Sequence, residues 1–139
     1  MKRKKVIIDA GPLVAFLNKN DQYHDWVKTQ FSIISPPLIT CESVISKACF
    51  ILGRFPKGAR HILELIQREL IVLPIDFQEE SLSIKSLLER YDNVPMSVAD
   101  ACLVRLCEQI SESVVCTTNR DFNIYRKNKR DVIPVIMPD

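Results

Sequence analysis

The chain has 139 residues, 47% apolar and 26% charged, with a formal net charge of +2, which fits one globular domain spanning 1–139 and excludes a disordered or low-complexity chain. No apolar run approaches the roughly 18–20 residues needed to cross a bilayer, and the apolar segment behind the basic start breaks at Asp9, so neither a membrane partner nor a secretory signal is expected. Five cysteines, at 41, 49, 102, 107 and 116, form no C-x-x-C pair, which argues against a disulfide framework or a zinc site and for reduced thiols in a cytoplasmic protein.

In chain order, Val6-Ile-Ile8 is a β-branched run suited to a strand buried on both faces, ending on Asp9. Gly11 and Pro12 then lead into a helix to Asn18, with Pro12 in a first turn, where its missing N–H is not needed. Asp21 is a candidate N-cap for a second helix, in which Tyr23, Trp26, Val27, Gln30, Phe31 and Ile34 form an apolar stripe that stops at Pro36-Pro37. Leu38-Ile-Thr40 reads as a second strand and Cys41 to Leu52 as a helix closing near Gly53.

Apolar spacing predicts a helix over Lys57 to Arg68 and a third strand over Leu70 to Ile75, whose Pro74 suggests an edge or a strand end. A further helix is predicted over Asp76 to Tyr91 with Phe77, Ile84, Leu87, Leu88 and Tyr91 inward, and another over Val98 to Ile110. Ser113 to Thr117 reads as a fourth strand and Val132 to Ile136 as a fifth. Strands separated by helices of this length form βαβ units, hence an α/β fold: a three-layer α/β/α sandwich around a mostly parallel sheet with right-handed crossovers.

Four acids fall at strand ends or helix starts: Asp9, Glu42, Asp100 and Asp121. Each has an ordinary use. Asp9 can cap a helix, Glu42 can complement a helix dipole, Asp100 completes a Ser97-x-x-Asp capping box, and Asp121 suits an Asx turn. Together they suggest a carboxylate cleft, which is unfavourable unless a cation offsets the like charges. Mg²⁺ or Mn²⁺ fits such ligands, and the associated chemistry is metal-assisted attack of water on a phosphodiester. Basic clusters at Lys2 to Lys5, at Arg54, Lys57 and Arg60, and at Arg126, Lys127, Lys129 and Arg130 suit phosphate contacts or simply solvated faces.

Val6-Ile-Ile-Asp9-Ala-Gly-Pro-Leu-Val-Ala-Phe-Leu17, Leu38-Ile-Thr40, Met96-Ser-Val-Ala-Asp100-Ala and Val115-Cys-Thr-Thr-Asn119-Arg-Asp121-Phe122 together resemble the PIN-domain family used by VapC-like toxin ribonucleases. The resemblance implies a metal-dependent endoribonuclease, usually dimeric and often paired with an antitoxin protein. It makes Asp9, Asp100 and Asp121 metal ligands and Thr118 and Asn119 neighbours that orient a phosphate or a water. The family's second acid aligns with Lys47. Glu42 lies five residues earlier, about 140° round a helix, and is carried as a fourth catalytic acid; Lys47, Arg120 and Arg126 are candidate RNA contacts. A PIN-like module that holds RNA or protein without cutting is the alternative.

Overall fold

The computed structural model describes residues 4–55 and 57–139; Lys2 and Arg3 of the first basic cluster, and the Arg54 side chain of the second, lie outside the described parts. Strand β1 (Lys5–Ile8) leads into helix α1 (Ala10–Leu17), followed by α2 (His24–Ile33), β2 (Leu38–Ile39), α3 (Glu42–Ile51), α4 (Gly58–Gln67), β3 (Ile71–Val72), α5 (Ser81–Arg90), α6 (Val98–Gln109) and β4 (Ser113–Cys116). A 3-10 turn over Arg120–Asn123 precedes the short strands β5 (Arg126–Lys127), β6 (Asp131–Val132) and β7 (Val135–Ile136). Among the described residues no helix is long and apolar enough to cross a membrane.

The central sheet has the order β3-β2-β1-β4-β7 and every pairing in it is parallel. This is the expected α/β architecture, with β3 at an edge and ended at Val72, before Pro74. The chain winds outward from β1 in one direction to β3 and in the other to β7, so right-handed crossovers place helices on both faces. Ile7 and Ile8 of β1 and Val115 and Cys116 of β4 have no solvent exposure, which is why these strands read as continuous apolar runs rather than alternating ones. Helix α6 packs on β1 and β4, and α3 packs on α1, α4 and α6.

Three local expectations are corrected. Asp21 does not cap α2: it accepts the Tyr23 amide at 2.8 Å in an Asx turn, and the helix begins at His24. Helix α5 begins at Ser81 rather than Asp76, because Asp76 closes an isolated turn by accepting the Glu79 and Glu80 amides; Phe77, on that turn, is exposed rather than inward. The single strand expected over Val132 to Ile136 is split at Ile133-Pro134. Asp131–Val132 pairs antiparallel with β5, while Val135–Ile136 joins the main sheet beside β4. Proline has no N–H for a ladder, and here only the Pro134 carbonyl is used, accepting from Val115 at 2.9 Å. The hairpin turns through Asn128 and Lys129, both at positive φ (51° and 71°), a conformation that suits Asn and costs Lys.

Candidate active site

The strand order reverses between β1 and β4, and in open parallel sheets the crevice beyond the carboxyl ends at such a point is where ligands bind. The Ile8↔Cys116 register sets Asp9 and Thr117 side by side there. Asp9 is 7% exposed. One of its oxygens accepts the Ala10 amide at 2.7 Å and the other accepts the Thr117 hydroxyl at 2.7 Å. Capping and site placement are therefore compatible: the same carboxylate starts α1 and sits at the crevice. Burial raises the Asp9 pKa and the charge of Asp100 adds to this, against the Thr117 and Ala10 hydrogen bonds and the Lys47 ammonium, which lower it.

Asp100 arrives from α6. Ser97 and Asp100 form the reciprocal capping box that the S-x-x-D spacing suggested, each accepting the other's amide at 3.0 Å. Only Oδ2 is used there, and Asp100 remains 7% exposed. Asp121 lies on the 3-10 turn after β4, half-buried, with its amide donating to Asn119 Oδ1 at 3.0 Å and its carbonyl accepting from Ile124 and Tyr125. The Asn119 amide in turn donates to Thr117 Oγ1 at 2.9 Å. Thr118 packs on the start of α1: a Cβ built on Gly11 would lie 2.5 Å from its hydroxyl oxygen. Glycine at 11 thus serves close approach rather than turning.

Two residues of this region were not picked out by sequence reading. Tyr125 is fully buried, donates its hydroxyl to the Pro95 carbonyl and lies 3.5 Å from Asp100 Oδ2. Its hydroxyl is pushed up by burial and then by the charges of Asp100, Asp121 and Asp9. No local motif marks it. Thr117 does carry a signal, since a polar residue closing an apolar strand beside another strand's terminal acid is placed to meet that acid. Thr117→Val should leave one Asp9 oxygen without its donor and cost about 1–2 kcal/mol, read as a lower melting midpoint together with an Asp9 carboxyl that titrates higher by NMR.

Glu42 is not placed with this group. It is exposed and lines a separate groove with Cys41, Ser43, Ile75, Phe77 and Cys102, whereas the α3 residue whose charge acts on Asp9 is Lys47. Positions 42 and 47 lie about 140° apart round an ideal helix, and both side chains are exposed. Arg120 is exposed. Arg126 Nη1 donates to the carbonyls of Asn123, Ile124 and Tyr125, so this guanidinium braces the chain after β4.

Among the described residues no three Asp, Glu, His or Cys side chains converge as a ready metal-ligand group. What is present is Asp9 under the charge of Asp100, and a Tyr125 hydroxyl that lies 3.5 Å from Asp100 Oδ2 and also feels the charges of Asp121 and Asp9. Mg²⁺ is commonly held by one or two carboxylates and several waters rather than by an all-protein cage. A buried carboxylate destabilised in its charged form, beside a second carboxylate, fits that mode of binding.

These features define a PIN-domain fold of the VapC-like kind. Mycobacterium tuberculosis VapC20, a toxin that cleaves the sarcin–ricin loop, is similar in structure, with a TM-score of 0.71 over 80% of this chain and 87% of that one. The two share 17% of their residues, so the likeness is one of fold. No family model matches the chain and no curated protein matches it in sequence.

Proposed function

We propose that the chain is a divalent-metal-dependent endoribonuclease, in the manner of a toxin held in check by a protein antitoxin. The observation that carries this reading is the Asp9–Asp100 pair at the sheet's reversal point, where burial leaves the Asp9 carboxylate in need of a counter-charge. Asp9 and Asp100 would hold Mg²⁺ or Mn²⁺ directly, with Asp121 through water. Such an ion supplies an activated water and offsets charge on the leaving oxygen. The chain's own groups do the positioning: Thr117 and the Ala10 amide fix Asp9, the capping box fixes Asp100, and Thr118 and Asn119 present polar groups beside them. Lys47 and Arg120 are exposed cations able to meet the RNA backbone.

Mn²⁺ should raise the melting temperature, because a ligand that binds only the folded chain stabilises it by about 2.7 kcal/mol at a hundred times its dissociation constant. A melting curve unmoved by millimolar Mn²⁺ would count against the metal site; cleavage of a structured RNA dependent on that metal would establish the activity. Self-association is part of the proposal. Phe50 is 87% exposed, and Ile51, Phe55 and Leu63, on or between α3 and α4, are exposed as well; apolar side chains left open in this way are ones a second copy could cover.

The second reading is a module that holds RNA without cutting it, and Lys47 is what favours it. An ammonium acting on Asp9 supplies part of the positive charge that a metal would bring. Under that reading Lys47→Glu strengthens Mn²⁺ binding while the parent chain cleaves nothing; under the first, the parent chain cleaves.

A further inference from the structure

A recess of about 450 Å³ opens between the end of α5 and the start of α6, lined by residues 91–96 and by Leu88. That volume lies in the range of small-molecule sites, roughly 300–1,000 Å³. Its apolar side is formed by Leu88, Tyr91, Val94 and Met96, half-buried and packed on the core, while Asp92 and Asn93 are exposed. The loop is held in shape: the Val94 amide donates to the Tyr91 carbonyl at 3.0 Å, and the Tyr91 hydroxyl accepts the Arg126 amide at 2.8 Å. Its far end adjoins Asp100. The Pro95 carbonyl accepts the Tyr125 hydroxyl, which lies 3.5 Å from Asp100 Oδ2, and the amide of Ser97, next after Met96, donates to the same carboxylate oxygen at 3.0 Å. Among the described residues neither the Asp92 carboxylate nor the Asn93 side-chain amide has a hydrogen-bond or ion-pair partner.

We infer that this recess takes an unpaired RNA base beside Asp100 and that Asp92 selects guanine there. RNA that is read by sequence is read in its unpaired bases, whose faces lie on aromatic or apolar side chains and whose Watson–Crick edges meet hydrogen-bonding groups. Tyr91, Val94 and Met96 supply surface for the face of a base, and Asp92 and Asn93 supply groups for its edge. A carboxylate only accepts hydrogen bonds, through two oxygens side by side. Guanine alone of the four RNA bases presents two neighbouring donors on that edge, its ring N–H and its amino group. Adenine and cytosine set an acceptor beside the amino group, and uracil sets one N–H between two carbonyls, so each of them turns lone pairs toward Asp92. Asn93, with a donor and an acceptor, fits the guanine carbonyl next to those two donors. The negative charge of Asp92 also disfavours a phosphate in the recess, so the base enters and the backbone stays outside. Asp92 thus sets specificity within the ribonuclease reading, on which this role rests, and takes no part in bond breaking.

The test titrates the whole chain with GMP, AMP, CMP and UMP in turn, with a chelator present so that no metal contributes, and follows the backbone amides by NMR. GMP is expected to move the Tyr91, Asn93 and Met96 signals and to bind roughly tenfold or more tighter than the other three, the discrimination that one bidentate contact to a base supplies. Asp92→Ala, at an exposed position, should bring GMP down to the level of the other nucleotides. Four nucleotides that bind alike, signals of residues 91–96 that GMP leaves in place, or a GMP preference that survives Asp92→Ala overturns the inference. Cleavage with Mn²⁺ checks the ribonuclease reading separately. A chain that prefers GMP but cuts no RNA keeps the guanine recess and loses the nuclease; one that cuts RNA while GMP leaves the recess signals in place keeps the nuclease and loses the recess.

Discussion

Asp9→Asn is expected to lower RNA cleavage by about 10²- to 10³-fold or more while raising the melting temperature at neutral pH. Both effects have one cause. The Asp9 pKa is raised above its ordinary value by burial first and by Asp100 second, so the folded state holds this proton more tightly than the unfolded chain. Stability therefore falls as pH rises from the unfolded value through the raised folded value, and it stays lower above that window. Asparagine removes the charge, keeps an oxygen for the Ala10 amide and leaves Thr117 a polar partner. The variant should accordingly lose that part of the acid-side slope in stability and lose the stabilisation by Mn²⁺. An Asp9→Asn chain that still cleaves RNA within threefold of the parent, or that melts lower at pH 7, would remove the basis for placing the chemistry here.

Tyr125→Ala carries the largest expected stability effect. The ring is fully buried, edge-on to Phe122 at 5.1 Å and to Tyr91 at 5.2 Å between centroids, and its hydroxyl fixes the Pro95 carbonyl just before the α6 cap. Removing a buried aromatic side chain costs about 3–5 kcal/mol, which in a domain of this size lowers the melting temperature by on the order of 10 °C. Tyr125→Phe separates packing from hydrogen bonding: it keeps the ring contacts, loses the bond to Pro95 and should cost about 1–2 kcal/mol. Calorimetry on both variants reads the difference. If Tyr125→Ala melts within two degrees of the parent, the aromatic cluster does not hold the segment after the 3-10 turn against Tyr91 and Pro95.

The site depends on these supports more than on its acids alone. Asp100 is aimed by a capping box, Asp9 by Thr117 and a helix amide, and Asp121 by the turn that Asn119 starts. Apart from the Thr117 hydroxyl, each bond uses a backbone amide that had to be satisfied in any case, which is why the capping uses expected from sequence and the site placement occur together.

The order of elements was legible because it rests on near-neighbour chemistry: the β-branched run before Asp9, the Ser97-x-x-Asp100 box, the prolines that end α2, and the periodicity of α4 and α6. The three-layer α/β fold followed from those patterns, and its PIN-like character from the resemblance of the motifs around Asp9, Asp100 and Asp121. What the residues could not reveal on their own was set by contacts between distant segments. The fifth strand divided at Pro134 because one half found β5 and the other found β4, and which partner wins is a matter of the packed sheet, not of strand propensity. Glu42 and Lys47 lie on different sides of one helix, and the tertiary structure lets the Lys47 charge act on Asp9 while Glu42 lines the groove with Cys41 and Cys102. Tyr125 carried no motif because its role consists of meeting Pro95 and Asp100, residues some thirty positions away, and a contact of that span exists only once the chain has closed on itself.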